Sequence, residues 1–337
     1  MYHSGNISFF LSLMIVSMMC SGCNYKNGEK MDDQIIHIIQ DRSFTKGLFI
    51  LGNSSSQPAP IATAYPFEKD GPAPAWSIAQ WGSPHLLDNM ATTIEKDTVI
   101  YQNEAKRIYF QRDGNKENTL IGLEVYASKE YVEPRGEGED WVHLLFGQDF
   151  PEPFFLNNIE KLTYRIKSKL LFCENKMGED YNPELHTAQI TLFLTIQNRN
   201  QQSSSHGDFF WFGLPLYDYR YRDIPGYAAQ DLGKDDASQK FIFTVAGKDL
   251  LDAPMHDLEW ITIDNDIYPL IQKAFETCQE NGYMTHTKFE DLYITSVNIG
   301  WEVPGTFDCG ILFECPSLTA TKRYPLTTQK INFIQRQ

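Results

Sequence analysis

The sequence has few positive charges for its length. Its 337 residues include 29 lysines and arginines against 44 aspartates and glutamates, so the formal net charge at pH 7 is −15. A surface with this excess of negative charge repels nucleic-acid phosphates and anionic lipid headgroups. Nucleic acid is therefore excluded as an expected partner, and so is direct adsorption to an anionic membrane surface.

The sequence also lacks the short motifs that mark several large enzyme classes. It contains no His-Glu-x-x-His motif, no Gly-x-Ser-x-Gly nucleophile elbow, no P-loop and no Gly-x-Gly-x-x-Gly fingerprint. We therefore expect no cofactor. Structural calcium is the alternative, because Ca²⁺ takes oxygen ligands from acidic loops. The residues that would supply them are Asp231, Asp235 and Asp236, or Asp264 and Asp266.

Cysteine is scarce after residue 23, where Cys173, Cys278, Cys309 and Cys315 are the four that remain. Cys309 and Cys315 share one predicted strand, so their α-carbons would lie about 20 Å apart. A disulfide needs α-carbons within about 7 Å, which excludes a bond between these two. Buried thiols are expected on this strand, and the sequence leaves pairing among the four open.

The apolar run at residues 7–19 is too short for a transmembrane helix, which needs roughly 20 apolar residues. Its length fits the apolar region of a signal peptide, and residues 1–22 contain no Lys, Arg, Asp or Glu. The run leads into Cys20-Ser21-Gly22-Cys23. We predict a signal peptide over residues 1–22, cleavage before Cys23 and lipidation of the Cys23 thiol. An ordinary secretory signal is the alternative.

The segment at residues 23–33 is polar and charged. Together with the preceding signal it resembles the signal and tether of surface lipoproteins from Bacteroidota, and this resemblance covers residues 1–33 alone. It implies a protein held in the cell envelope by the acyl chains on Cys23. The expected location is that of an outer-membrane lipoprotein, either periplasmic or surface-exposed, with the lipid membrane as its partner.

The remaining residues, 34–337, are predicted to form one β-sandwich domain. The full sequence is 42% hydrophobic and 13% aromatic, a composition typical of a packed globular protein. The segment 133–140 is charged and rich in glycine, so two β subdomains divided near it are the alternative.

Two-residue alternation of apolar and polar side chains predicts most of the secondary structure. It is strongest over residues 161–172 and 188–197, and such alternation is typical of antiparallel sheets with one packed and one solvated face. Further strands are predicted at residues 106–111, 119–127, 240–245, 258–263 and 293–303. The predicted fold is mostly β, an antiparallel β-sandwich with a jelly-roll-like arrangement.

One helix is predicted in the C-terminal half, over about residues 267–281. Apolar residues recur there at helical spacing from Ile267 to Cys278. Asp266 or a neighbouring polar residue can cap its start, Pro269 fits the first turn, and Gly282 can end it.

Residues 205–227 contain eight aromatic residues, whereas the chain average of 13% predicts about three. Alternation places three tyrosines on one face of this segment, with aspartate and arginine on the other. Flat rings with polar edges suit the apolar C–H faces and hydroxyl groups of sugars, although buried tyrosines of a sandwich core share the same pattern. The candidate ligand-binding residues are Trp211, Tyr217, Tyr219, Tyr221, Arg220 and Asp218.

Three carboxylates on predicted strands, Glu124, Glu259 and Glu302, are candidate catalytic residues. Glycoside hydrolysis needs two carboxylates about 5–10 Å apart across a groove. The sequence does not show which strands are neighbours, and ordinary charges on a solvated strand face are the alternative.

These features predict a membrane-anchored, extracytoplasmic β-sandwich that binds a glycan. The first alternative is a sandwich glycoside hydrolase or polysaccharide lyase that uses two of the three carboxylates. The second is a structural or adhesive surface lipoprotein without catalysis.

Overall fold

The computed structural model describes residues 35–67, 71, 73–88, 90–112, 119–157, 159–232 and 238–322. The strands are β1 (Ile35–His37), β2 (Leu48–Leu51), β3 (Pro60–Ala64), β4 (Trp76–Ala79), β5 (Ala91–Glu95), β6 (Thr98–Gln102), β7 (Lys106–Arg112), β8 (Thr119–Tyr126), β9 (Val142–Phe155), β10 (Ile159–Asn175), β11 (Gln189–Asn198), β12 (Phe209–Asp218), β13 (Tyr227–Gln230), β14 (Phe241–Thr244), β15 (Ile261–Asp266), β16 (Leu292–Val303), β17 (Phe307–Glu314) and β18 (Ser317–Lys322). The helices are α1 (Tyr268–Glu280) and the 3-10 helices Ala127–Lys129, Gly178–Asp180, Gly247–Asp249, Met255–Asp257 and Phe289–Asp291. The predicted signal peptide and tether lie outside the described residues.

The strands form two nine-stranded sheets. Sheet A has the order β1-β18-β10-β17-β8-β7-β6-β5, with β15 also paired to β10. Sheet B has the order β13-β14-β12-β11-β16-β9-β4-β2-β3. Strand pairs are antiparallel except β12 with β14 and β2 with β4, which are parallel. Residues 133–140 join β8 of sheet A to β9 of sheet B, and both sheets take strands from before and after this segment.

The hydrophobic core lies between the two sheets. The ring of Phe44 lies 5.0 Å from that of Phe110 on β7 of sheet A and 5.6 Å from that of Phe146 on β9 of sheet B. The indole N–H of Trp301 on β16 donates a hydrogen bond of 3.0 Å to the carbonyl oxygen of Leu123 on β8. Contacts of this kind tie one sheet to the other, and the predicted mostly β sandwich is confirmed.

Strand β10 shows how the alternation produces two faces and where it fails. Leu162, Tyr164 and Ile166 are buried as the alternation predicts, and the polar residues between them, Thr163 and Arg165, point away from the core. A register shift between Leu170 and Phe172 then reverses the phase. Alternation over residues 161–172 predicts that Phe172 shares the face of Leu162, but Phe172 lies on the outer face of sheet A, because a β-bulge of this kind redirects the side chains that follow it.

Helix α1 begins one residue later and ends one residue earlier than predicted. The N-cap position is Ile267, whose side chain makes no cap hydrogen bond, and Asp266 Oδ1, one residue earlier, accepts a hydrogen bond of 3.1 Å from the backbone N–H of Tyr268. Pro269 lies in that turn. Gly282 follows the helix with φ of +85°, a conformation that favours glycine after a helix end. The helix packs against the core through Phe275, whose ring lies 6.4 Å from that of Phe210 on β12.

A buried ion pair lies at the start of β7. The side chains of Lys106 and Glu130 are both 0% exposed and in direct contact. The Lys106 ammonium also contacts Ser83 and donates a hydrogen bond of 2.7 Å to the carbonyl oxygen of His85. Burial lowers the pKa of Lys106, and the Glu130 carboxylate opposes that effect. Each charge is therefore stabilised by the other and not by solvent.

Within the described ranges, no α-helix is both long enough and apolar enough to cross a lipid bilayer.

Candidate functional site

The candidate site is the outer face of sheet B, the side that points away from the core. Strand β11 shows how the sequence builds it, because its apolar residues, such as Leu192 and Leu194, are buried. The residues that alternate with the buried ones, Gln189, Thr191 and Phe193, point outward and are half-buried. The same alternation in β12 and β16 places a continuous set of side chains on this face.

A central row crosses this face through strand pairing in register. Ser77 pairs with Gly147, Gly147 with Asn298, Asn298 with Phe193, and Phe193 with Gly213. The Phe193 ring lies over Gly213, since a Cβ on that glycine would come within 2.8 Å of the ring. Small residues therefore flank one large ring, which leaves a shallow surface with an aromatic platform in its middle.

A second aromatic group extends the platform toward one end of the face. The Trp211 ring lies 6.3 Å from that of Phe193 and 5.3 Å from that of Phe209, nearly perpendicular to both. The indole N–H of Trp211 donates a hydrogen bond of 3.2 Å to Ser238 Oγ, which fixes the ring. Trp211, predicted as a stacking residue, therefore lies on this face and is half-buried.

A polar row lies near the other end of the face. His143, Glu302 and Gln189 occupy register positions on three neighbouring strands, and Asp218 pairs with Gln189 on the fourth. The Gln189 side-chain amide donates a hydrogen bond of 2.7 Å to a carboxylate oxygen of half-buried Glu302. Glu302 is thus the one catalytic candidate from the sequence that lies on the same face as Trp211.

Two tryptophans lie beside His143 at the end of this row, and none of the three is a site residue predicted from the sequence. The His143 ring lies 6.3 Å from the Trp141 ring in a stacked arrangement and 5.8 Å from the Trp81 ring. Both indole N–H groups are buried and, among the described residues, have no hydrogen-bond partner. Alternation along β9 predicts that His143 and Leu145 point to the same outer face. No pattern in the sequence predicts that Trp81 lies near His143.

The predicted row of tyrosines does not form. A register shift between Ile190 and Thr191 turns Tyr217 into the core, where it is 3% exposed and packs on Trp301. Strand β12 ends at Asp218, so alternation no longer applies after it. The Tyr219 ring packs 4.7 Å from that of Phe307, and Tyr221 is exposed in the following turn. The three tyrosines therefore face three different environments.

The predicted rim residues Asp218 and Arg220 form a closed pair. Arg220 donates two hydrogen bonds, of 3.0 and 2.7 Å, to the two carboxylate oxygens of Asp218. Thr187 Oγ1 donates a third, of 2.8 Å, to the same carboxylate. Asp218 is 6% exposed, so the pair stabilises the turn after β12 at the border of the face.

The three predicted catalytic carboxylates lie in three separate places. Glu124 is on the outer face of sheet A, where Tyr126 Oη donates to it at 2.6 Å and an Arg107 nitrogen lies 3.6 Å away. Glu259 is exposed in the segment between the 3-10 helix at Met255–Asp257 and β15, because the predicted strand at residues 258–263 begins only at Ile261. Glu302 is on the outer face of sheet B, so no two of them share a groove.

The acidic residues considered for calcium are engaged by protein groups where the structure describes them. Asp231 accepts hydrogen bonds from the backbone N–H and hydroxyl of Ser238 at 2.8 and 2.7 Å. Asp266 accepts from two backbone N–H groups. Across the described ranges, no group of three or more His, Cys, Asp or Glu is placed to hold a metal ion. Asp235 and Asp236 lie outside those ranges.

No protein-family model matches the chain, and no curated protein sequence matches it. Among solved structures it is similar to an endoglucanase from Rhodothermus marinus, with a TM-score of 0.38, 8% identity and coverage of 73% of this chain and 99% of that chain. It is also similar to a native family 12 xyloglucanase from Bacillus licheniformis, with a TM-score of 0.39, 10% identity and coverage of 72% and 99%. At these TM-scores and identities, the likeness assigns neither a fold nor an activity to this chain.

Proposed function

We propose that this protein binds carbohydrate on the outer face of sheet B. The observation that supports the proposal is the platform of half-buried rings, Phe193 and Trp211, on the outer face of sheet B, where small residues flank Phe193 in the central row. Apolar C–H faces of sugars pack on such rings, and an aromatic surface of this kind contributes a large share of a binding energy. The amide and carboxylate groups of Asn298, Gln189 and Glu302 supply partners for sugar hydroxyls.

The length of the face favours an oligosaccharide over a single sugar. The outward residues Glu302 and Ser296 on β16 are six positions apart, which corresponds to about 20 Å along a strand. The platform rings lie beside this stretch, because Phe193 pairs with Asn298 and Thr195 pairs with both Ser296 and Trp211. A linear glycan would therefore contact the polar row and the aromatic platform together.

The arrangement of charges favours binding over cleavage. In the row of paired residues that contains Glu302, the other carboxylate is that of Asp218. It lies two strands away, which corresponds to about 10 Å. Asp218 is neutralised by Arg220, so it is poorly placed to act as the second carboxylate that hydrolysis needs. Capture of a glycan without chemistry is the function that this geometry supports best.

A glycan-array screen of the purified chain, followed by a reducing-sugar assay on each bound glycan, tests this function. We expect binding without release of reducing ends. Release of product would replace capture with hydrolysis, and the absence of binding to any glycan would leave the structural or adhesive role.

The change Glu302→Gln is expected to weaken binding of that glycan by roughly 10-fold, because a hydrogen bond to a charged group contributes about 1.5–3 kcal/mol and a neutral amide retains part of it. Glu259→Gln serves as the matched control, since Glu259 is exposed away from this face. Isothermal titration calorimetry measures both. Equal affinities for the two variants would contradict the placement of the ligand beside Glu302.

We propose that the domain is held at a membrane through lipidated Cys23, which the signal-like residues 1–22 and the polar segment 23–33 support. Cys23→Ala is expected to move the protein from the membrane fraction to the soluble extract of cells that express it. Mass spectrometry of the mature N-terminal peptide is the direct measurement, and an unmodified peptide that begins elsewhere would contradict the anchor. Cys20→Ala is the matched control and is expected to leave lipidation unchanged.

A further inference from the structure

We propose that Cys173 and Cys309 form a disulfide bond between β10 and β17 when the chain meets a disulfide donor. The two residues are direct partners in the antiparallel register of these strands. Partners in such a pair have α-carbons about 4.5–5.5 Å apart, and disulfides span α-carbons about 4.4–6.8 Å apart. The structure has both as free thiols, so the bond requires an oxidant and no rearrangement of the strands.

Both thiols point to the same side of sheet A. Cys309 shares the core-facing phase of Ile311 and is fully buried. Cys173 points to the core as well, because the register shift that turns Phe172 to the outer face turns the next residue inward. The hydroxyl of Tyr217, a core residue of sheet B, hydrogen-bonds to the Cys173 thiol from the same side. The register shift between Leu170 and Phe172 therefore aligns the two cysteines.

The other two cysteines within the described ranges, Cys278 and Cys315, are too distant to compete. Cys315 is six residues from Cys309, or about 20 Å along the strand direction. Cys278 lies in α1, and burial, with a smaller contribution from the Asp208 carboxylate, raises the pKa of Cys278 to about 12. Asp208 precedes β12, and Tyr217 lies near its opposite end, roughly 25–30 Å away. Cys173, which contacts Tyr217, and Cys278 therefore lie near opposite ends of β12.

The bond forms by two exchange steps with a small disulfide such as oxidised glutathione. The thiolate of Cys173 attacks the donor disulfide, which forms a mixed disulfide and releases the first donor thiolate. The thiolate of Cys309 then attacks the Cys173 sulfur, which forms the protein disulfide and releases the second donor thiolate. The two cysteine protons end on the two donor thiols, and the donor gains the two electrons that the cysteines lose.

Burial of the two thiols determines at which stage the thiol–disulfide exchange is fast. It raises the pKa of Cys173 to about 12 and raises that of fully buried Cys309 as well, so few thiolates exist in the folded protein. The bond is therefore expected to form during folding and only slowly afterwards. In cells this requires an oxidising compartment, which rests on the proposed envelope location, whereas the chemistry in vitro does not.

Oxidative refolding of the full chain tests the proposal. The chain carries Cys20→Ser and Cys23→Ser, is refolded with oxidised and reduced glutathione, and is then unfolded, alkylated and digested for peptide mass spectrometry. We expect one linked peptide that joins Cys173 to Cys309, with Cys278 and Cys315 alkylated. Alkylation of all four thiols, or a different linkage, would overturn the proposal.

A stability measurement provides the second readout. The oxidised chain is expected to have a Tm about 5–10 °C above that of the same chain in dithiothreitol, because the bond closes a loop of more than 100 residues. Cys278→Ser is the matched control and is expected to keep the dithiothreitol-sensitive rise. Cys173→Ser is expected to abolish it, and a rise that survives Cys173→Ser would also overturn the assignment.

Discussion

Replacement of Trp211 by alanine is expected to lower the affinity for the bound glycan by about 30-fold, which corresponds to a loss of about 2 kcal/mol. The expected loss is large because Trp211 supplies the widest flat surface of the platform and is held in place by Phe209, Phe193 and Ser238. Isothermal titration calorimetry with the best glycan from the array measures the effect. Trp211→Phe is expected to recover most of the affinity, because a flat ring remains.

Trp260→Ala is the matched control for this experiment. Trp260 is 39% exposed and lies near Lys167 of sheet A, with the ammonium 4.9 Å from its ring centroid. An exposed tryptophan of the same chain is thus removed from a different surface. If both alanine variants lose affinity equally, or if Trp211→Ala binds as well as the unaltered chain, the ligand does not lie on the outer face of sheet B.

The change Lys106→Ala is expected to lower the free energy of unfolding by about 3–5 kcal/mol. The cost arises because Glu130 would remain as a buried charge without its partner, and the contacts of the Lys106 ammonium with Ser83 and the His85 carbonyl would be lost. Urea unfolding followed by tryptophan fluorescence measures the change as a shift of the transition midpoint at constant slope.

The double change Lys106→Met and Glu130→Leu separates the unpaired charge from the loss of packing. Replacing both charges by apolar side chains removes the desolvated ions, so we expect the double variant to be more stable than Lys106→Ala. The exposed residue Lys96 offers a matched surface control, and Lys96→Ala is expected to change stability by less than about 0.5 kcal/mol. A cost of that size for Lys106→Ala as well would contradict a buried, unpaired charge on Glu130 in that variant.

The candidate site shows how far periodicity alone can predict a site. Trp211 was identified because it lies in an unusually aromatic segment, and it does lie on an outward face. Tyr217 was assigned to the same surface but is buried, because the register shift opposite Ile190 reverses the phase before the strand ends. Trp81 was missed, because its proximity to His143 depends on the pairing of β4 with β9, whereas Trp141 lies only two residues before His143.

The sequence by itself determined the class of fold, the long two-faced strands and the single α-helix among the described residues. These features depend on periods of two and 3.6 residues, which are local properties that each segment expresses alone. Tertiary structure decided which strands are neighbours and in which register. That choice set Glu302 apart from Glu124, placed Gln189 beside Glu302 and aligned Cys173 with Cys309. A shift of one residue moves every later side chain to the opposite face, so bulges and long-range pairings, not local pattern, built the site.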